Sequence, residues 1–222
     1  METINLIRIG SRLDEIFYTG AIRAKILLDN CSYPTYDPGL GIIEGYQRKQ
    51  KDVNVKSVAE RTYRNINDFD SFIDNINLNI RDEKVHNAFV KPLKPKSTDD
   101  GSICIFEYEP DSLKKPDLWT VDGQTRVKGL ATARADADLS KDYKVVNQIN
   151  DKMIGINLTF TTDIYKECFF FYLLNHYSTN IPPEGALRMM FDGWKNKKVS
   201  FVNEITDNPR SKTKLNDVRA ME

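Results

Sequence analysis

Two segments of this chain alternate strictly between apolar and polar residues, and this pattern constrains the fold more than any other feature. They span residues 75–80 (NINLNI) and 153–160 (MIGINLTF). Because successive side chains of a strand point to opposite faces, each segment predicts a strand with one buried face. Asparagine is a poor strand former, so its recurrence in the first segment predicts an exposed or functional outer face.

Helical patterns lie between the predicted strands. Residues 53–65 place Val55, Val58 and Thr62 on one face, as in an amphipathic helix. Thr162-Asp163 makes a good helix start. Residues 21–28 (AIRAKILL) fit either a strand or a helix. Further strands are predicted at 103–108 and 118–121, and further helices at 125–137, 163–176 and 184–192. This order predicts an α+β (mixed α/β) fold.

The length of the chain sets its domain organisation. A chain of 222 residues can bury a sizeable core without disulfides or a metal. We expect one domain over residues 1–205. Residues 206–222 are polar and lack an apolar stripe, so we expect them to form a mobile tail.

Charge and cysteine usage exclude several classes of protein. Lys+Arg and Asp+Glu both number 32, which argues against a protein that coats DNA nonspecifically, although a local basic patch leaves DNA binding open. Cys31, Cys104 and Cys168 lack the spacing of zinc ligands, so no structural metal is expected. The apolar run around Cys168 predicts a buried thiol, and the pattern fits a reducing compartment.

The sequence carries no membrane signal. Its start lacks a basic stretch followed by an apolar one, as a secretory signal would have. Its longest apolar run is far shorter than the roughly 20 residues that cross a bilayer. We therefore expect a soluble, cytoplasmic protein with no membrane partner.

The segment with the most chemical content follows the strand at 118–121. One glycine lies in the turn, and a helix is predicted to begin at Gln124 or Thr125. The N–H groups at a helix start lack intrahelical partners and carry partial positive charge, so they suit a phosphate. Gly123 permits close backbone approach, and Arg126 adds a forked cation in the first turn. Asp122 can cap the helix or hold that cation.

The residues alone leave a plainer interpretation open. Asp-Gly followed by a helix is a common capped turn, and an arginine in a first turn is often simply solvated. Five residues are a weak motif.

A resemblance to a known family adds to this pattern. Residues 119–130 (WTVDGQTRVKGL) resemble the Asp-Gly-Gln-His-Arg segment of DGQHR-domain proteins, which include the DndB-type and DpdB-type proteins of DNA-modification clusters. The upstream residues 45–48 (GYQR) and the downstream residues 171–175 (FYLLN), followed by Ile181-Pro182, resemble two further blocks of that family. Together the three blocks cover roughly residues 8 to 192.

The resemblance implies a ParB/sulfiredoxin-like fold, with a small mixed sheet flanked by helices and a turn that holds nucleotide phosphates. Thr125 replaces the histidine that names the motif, which puts acid–base chemistry at this position in doubt. By matching position, the implied phosphate- or nucleotide-binding residues are Asp122, Gly123, Gln124, Thr125 and Arg126 from the turn, Tyr46, Gln47 and Arg48 from upstream, and Asn175 from downstream.

The resemblance leaves three functions open. The first is a nucleotide-handling component of a DNA-modification or phage-defence system, which would bind a nucleoside triphosphate with Mg²⁺, with or without hydrolysing it. The second is a non-enzymatic DNA-binding regulator of a DNA sulfur-modification cluster. The third is a ParB-like nuclease, which no dense carboxylate cluster supports. Expected partners are DNA, nucleotides and other proteins of the same system, and a homo-oligomer is compatible with the sequence.

Other polar residues are weaker candidates. His86 and His176 have no acid or nucleophile near them in sequence, so surface or capping roles are expected. The acidic pairs Asp99-Asp100 and Asp136/Asp138 are expected to be solvated rather than to bind a metal. A basic patch beside a tryptophan can contact a nucleic-acid backbone, although an exposed helix end is the plainer interpretation. This patch comprises Trp194, Lys195, Lys197 and Lys198.

Overall fold

The computed structural model describes residues 2–9, 16–36, 46–48, 50–64, 75–92, 103–109 and 117–178. The chain divides into two compact units. The first unit comprises Met1–Tyr33 and Gln50–Thr162, and the second comprises Pro34–Lys49 and Asp163–Glu222. The predicted tail and the predicted helix at 184–192 lie outside the described residues. A single domain over residues 1–205 stays a prediction.

Strands and helices alternate along the described parts of the chain. Their order is β1 (Glu2–Ile9), β2 (Ile16–Arg23), α1 (Ala24–Asn30), β3 (Cys31–Ser32), β4 (Thr35–Tyr36), β5 (Gln47–Arg48), α2 (Asp52–Arg64), β6 (Ile76–Ile80), α3 (Glu83–Phe89), β7 (Val90–Pro92), β8 (Ile103–Tyr108), β9 (Leu118–Asp122), α4 (Gln124–Leu139), α5 (Tyr143–Asp151), β10 (Met153–Phe160) and α6 (Ile164–Ser178).

An eight-stranded sheet organises the first unit. Its strand order is β3-β9-β6-β10-β2-β1-β8-β7, with β3–β9 and β6–β10 parallel and the other pairs antiparallel. The two alternating segments are neighbours, with Leu78 opposite Leu158 and Ile80 opposite Phe160. The α+β class and the mixed sheet are therefore confirmed.

One face of this sheet and the helices of the first unit share a single hydrophobic core. Alternate apolar residues of the two strands are buried there, as their alternation predicts: Ile76, Leu78 and Ile80 of β6 and Ile154, Ile156 and Leu158 of β10. Fully burying a leucine or isoleucine contributes about 1.5–3 kcal/mol, so this shared core is the main source of stability. The helices contribute Ile26, Leu27, Ala59, Val127, Leu130, Ala133 and Ile149 to it.

The ambiguous segment at 21–28 contains both kinds of element. Strand β2 ends at Arg23, and α1 begins at Ala24. Ala24, Ile26, Leu27 and Leu28 are buried on α1. Local periodicity could not separate the two elements because the switch occurs inside one short apolar run.

The asparagines of β6 correct the expectation of an exposed outer face. Asn75 is exposed and Asn77 is partly buried, but Asn79 is completely buried. Asn79 Nδ2 donates to the carbonyl oxygen of Thr161 at 3.0 Å, and its Oδ1 accepts from the Thr161 N–H at 3.0 Å and the Thr159 hydroxyl at 3.1 Å. Because both ends of the amide are paired, the cost of burying it is offset.

The sequence predicts a surface or capping role for His86; the surface position is wrong, and His86 lies in the last turn of α3. Only 8% of the residue is exposed. Its ring stacks on Phe160 with centroids 4.3 Å apart, and its Nε2 lies 3.1 Å from the Tyr18 hydroxyl. The polar sequence around His86 hid this position, because only one side of the short helix α3 faces the core.

Cys168 is buried, as the apolar run around it predicts. Cys31 and Cys104 are also free and buried, which the sequence did not indicate. Burial raises the pKa of the Cys168 thiol, so this thiol remains protonated at neutral pH. In the described part of the chain, no helix combines the length and apolarity needed to cross a membrane.

Candidate functional site

The turn between β9 and α4 has the geometry that the sequence predicts. Gly123 has φ +94° and ψ 13°, which is the left-handed region. Helix α4 begins at Gln124, and the Val127 N–H donates to the Gly123 carbonyl oxygen at 3.0 Å. A Cβ on Gly123 would lie 2.7 Å from Ile76 Cδ1 and 3.1 Å from Arg126 Nη2. Both the backbone conformation and the space therefore require glycine.

Arg126 folds back over this turn. Its Nη2 donates to Asp122 Oδ2 at 3.0 Å, and the two side chains are 24% and 34% exposed. Such a partly exposed pair contributes about 0–1 kcal/mol to stability, so its main effect is to orient the guanidinium. A guanidinium has five N–H donors in a fork that matches phosphate oxygens. Asp122 thus holds the cation of the turn, which is one of the two roles predicted for it.

Gln50 joins the turn and was missed by the sequence analysis. Its Nε2 donates to Gln124 Oε1 at 2.6 Å, and its Oε1 accepts a hydrogen bond from the Thr125 hydroxyl. Gln124 is only 3% exposed. Gln50 lies 74 positions upstream of Gln124. No local pattern in the sequence could have indicated this contact.

Helices α2 and α4 run parallel, so both begin at this turn. Gln50, just before α2, contacts the first residues of α4. In the middle of both helices, a Cβ on Gly129 would lie 2.4 Å from Val58 Cγ1. At the far end, the Tyr63 hydroxyl donates to Asp142 Oδ2 at 3.5 Å, just after α4. The two helix starts therefore lie side by side.

The backbone dipoles at the paired helix starts have the sign that attracts an anion. Each helix carries roughly +0.5 elementary charge at its amino end, and parallel packing brings the two ends together. Two carboxylates partly offset this charge: Asp52 lies in the first turn of α2, and Asp122 pairs with Arg126 at the start of α4. The first turn of α4 itself contains no acidic residue and contains Arg126, which is the unfavourable sign for a helix start. A phosphate bound here would offset the remaining partial positive charge.

The upstream block belongs to the second unit. Tyr46 is completely buried, its hydroxyl donates to Glu167 Oε1 at 2.5 Å, and its ring lies 5.0 Å from that of Phe171. Gln47 is 2% exposed. The Tyr46 and Gln47 N–H groups both donate to the Pro34 carbonyl oxygen. The upstream and downstream blocks are thus joined within this unit.

Two predicted ligands have only their backbone described. Arg48 lies in β5, which pairs in parallel with β4, and Asn175 lies in α6. Both belong to the second unit, whereas the turn belongs to the first. That Tyr46, Gln47, Arg48 and Asn175 share a ligand with the turn stays a prediction.

The weaker candidates gain no support. Asp136 and Asp138 are exposed, and across the described ranges no three His, Cys, Asp or Glu side chains converge as metal ligands. Asp99-Asp100 and the side chain of His176 lie outside what the structure describes. So does the predicted nucleic-acid patch, which comprises Trp194, Lys195, Lys197 and Lys198.

An open cavity of about 460 Å³ lies at the opposite end of β9 from Gly123. The Arg81 guanidinium stacks on the Trp119 ring at 3.5 Å from its centroid. Three carboxylates and one guanidinium line this cavity, so its charge disfavours a phosphate. The lining residues are Arg81, Asp82, Glu83, Asp117 and Trp119. The Gly123 turn is therefore the better candidate for an anion.

Comparison with known proteins gives no relative: no family model matches the chain, and neither a curated protein nor a solved structure matches it significantly.

Proposed function

We propose that this protein binds a phosphate group of a nucleotide or of DNA at the paired starts of α2 and α4, as a component of a DNA-modification or phage-defence system. One observation carries the binding site: two parallel helices begin side by side, with the Arg126 guanidinium held over Gly123 by Asp122. The resemblance of residues 119–130 to the DGQHR segment supports the biological setting.

In the first form of this proposal, the ligand is a nucleoside triphosphate. Backbone N–H groups at the helix start and Arg126 stabilise the negative charge of the phosphates. Mg²⁺ enters with the ligand and is held mainly by the phosphates themselves, as is usual for this ion. The Thr125 hydroxyl donates to Gln50, and this structural bond favours binding over hydrolysis at the position of the motif histidine.

In the second form, the same turn holds a phosphate of the DNA backbone, and the protein acts as a non-enzymatic regulator. The hydrogen bond that the Thr125 hydroxyl donates to Gln50 favours this form as well, because a regulator needs no acid–base group at position 125. A backbone contact positions the protein on DNA, and other residues would then supply sequence specificity.

Arg126→Ala tests the site. We expect saturating ATP, GTP or CTP with Mg²⁺ to raise the melting temperature of the wild-type protein in differential scanning fluorimetry. At a ligand concentration of 100 times Kd, the stabilisation is about 2.7 kcal/mol. For a chain of this size that corresponds to roughly 5–10 °C. Arg126→Ala removes most of this shift because the forked cation is lost.

Arg134→Ala is the matched control. Arg134 lies on the same helix and pairs with Asp29 at 2.9 Å, away from the Gly123 turn. This variant should keep the full ligand-induced shift. Equal shifts in the wild-type protein and Arg126→Ala would contradict the proposed site.

A further inference from the structure

We infer that Gln50 is the positioning residue of the anion site: its carboxamide joins the starts of α2 and α4 and fixes the direction of the first N–H groups of α4. This inference deepens the proposed function and rests on it for the identity of the ligand. The geometric part concerns the folded protein alone and can be tested without any ligand.

Both the NH₂ group and the carbonyl oxygen of the Gln50 carboxamide make hydrogen bonds. Its NH₂ group donates to Gln124 Oε1, and its carbonyl oxygen accepts from the Thr125 hydroxyl. A carboxamide carries a donor and an acceptor side by side, so it makes both bonds without adding a charge beside the anion. Gln124 is almost completely buried, so removing the Gln50 carboxamide removes a hydrogen bond from a buried polar group.

The two bonds act on consecutive residues of the first helical turn. Gln50 lies two positions before Asp52, where α2 begins, so its side chain also lies at the start of α2. A single side chain therefore connects the two positively polarised helix ends. Preorganised donors bind an anion better than mobile ones, because no free energy is lost in ordering them on binding.

This arrangement changes the roles assigned to the motif. The side chains of Gln124 and Thr125 form a frame with Gln50, while Arg126 and the backbone N–H groups contact the anion. Position 125 must then supply a hydrogen-bond donor to Gln50 Oε1. Threonine meets this requirement with its hydroxyl group.

Gln50→Ala provides the ligand-free test. We expect amide hydrogen exchange at Val127, whose N–H donates to the Gly123 carbonyl oxygen, to become about tenfold faster in NMR as the first turn loosens. Thr125→Val should have the same effect because it removes only the donor, and Thr125→Ser should restore slow exchange. Gln148→Ala, a glutamine substitution on α5, is the control and should leave this amide unchanged.

Pyrophosphate binding, measured by isothermal titration calorimetry on the same variants, tests the functional part. We expect Kd to rise about fivefold to tenfold in Gln50→Ala and Thr125→Val, with no further rise in the double variant, because both remove one coupled unit. Gln50→Glu should weaken binding more than Gln50→Ala, because it adds a like charge beside the anion.

The outcomes separate the two ideas. If the wild-type protein binds pyrophosphate and Gln50→Ala changes neither Kd nor exchange at Val127, the positioning role is wrong and the site stands. If exchange accelerates as expected but the wild-type protein binds no pyrophosphate, Gln50 orders the first turn of α4 without serving an anion, and the nucleotide form of the proposed function fails. Should Gln50→Ala fail to fold, the Thr125→Val and Thr125→Ser pair decides the question in its place.

Discussion

Single residues at the turn each meet more than one constraint. At Gly123 the left-handed backbone, the Ile76 side chain and the Arg126 guanidinium all exclude a Cβ. Glycine could be predicted here from the sequence, since Asp-Gly before a helix indicates such a turn. The roles of Gln124 and Thr125 could not, because they depend on a partner 74 and 75 positions away.

His86 shows how a residue acquires a property that its neighbours in sequence do not indicate. Burial lowers the pKa of the imidazole, although hydrogen bonding to Asn87 and the charge of Glu83 oppose this shift. Burial also raises the pKa of Tyr18 to about 12, so its hydroxyl stays protonated at neutral pH. His86 Nδ1 lies 3.1 Å from Asn87 Oδ1, and an amide oxygen only accepts, so Nδ1 carries the proton of the neutral ring. Nε2 then accepts from the Tyr18 hydroxyl at 3.1 Å.

We therefore expect the stability of the protein to fall as the pH drops below about 6.5, the ordinary histidine pKa. Because the folded-state pKa is lower, the unfolded state takes up the proton first, and the contribution of neutral His86 is complete only above that pH. Urea unfolding of the wild-type protein and His86→Gln at pH 7.5 and 5.0 measures the effect. His86→Gln should lose less stability than the wild-type protein between the two pH values. His176→Gln replaces the other histidine and is the control, which should keep the pH dependence of the wild-type protein. Identical pH dependence in the wild-type protein and His86→Gln would refute the assignment.

At the scale of elements, the close approach of α2 and α4 keeps the two helix starts together. A Cβ on Gly129 would lie 2.4 Å and 2.6 Å from atoms of Val58 and 3.3 Å from the Val55 carbonyl oxygen. Gly129 therefore determines how near the helices lie, and its position inside a helix has a packing reason.

Gly129→Ala tests this packing through the sign of the change in the free energy of unfolding. Helix propensity alone would stabilise the variant by about 1 kcal/mol. Overpacking against Val58 costs about 1–3 kcal/mol, so we expect a net destabilisation of up to about 2 kcal/mol. The control is Ala135→Gly at an exposed position of α4, which isolates the propensity difference. A Gly129→Ala protein more stable than wild type in urea unfolding would show that the helices can separate freely.

Elements with a clear local pattern could be predicted, and the others could not. The sequence indicated α2, β6, β8, β9, α4, β10 and α6. It did not indicate β1 and β2, although each has eight residues, because neither alternates regularly. It missed α3 and α5, which have 7 and 9 residues, because so few turns establish no reliable period. The pairing of the two helix starts was also missed, since tertiary packing rather than local sequence brings Gln50 to α4.

At the scale of the whole molecule, charge balance distinguishes a local phosphate site from a DNA-coating surface. Lys+Arg and Asp+Glu are equal at 32 each, so no global excess of positive charge attracts DNA. Any affinity for DNA must then come from a few local contacts. The number of those contacts can be counted from the salt dependence of binding, because each neutralised phosphate contributes a slope of about −0.9 in log K against log salt.

If the second form of the proposed function is correct, we expect fluorescence anisotropy with a duplex oligonucleotide to give a shallow slope of about −1 to −3. Arg126→Ala should weaken binding equally across unrelated sequences and make the slope less negative by about one unit, because one phosphate contact is lost. Arg134→Ala should change neither quantity, since its guanidinium pairs with Asp29. A slope near −8, or one that Arg126→Ala leaves unchanged, would place the DNA contacts elsewhere. Saturable stabilisation by nucleotide without any DNA binding would instead support the first form of the proposed function, in which the ligand is a nucleoside triphosphate.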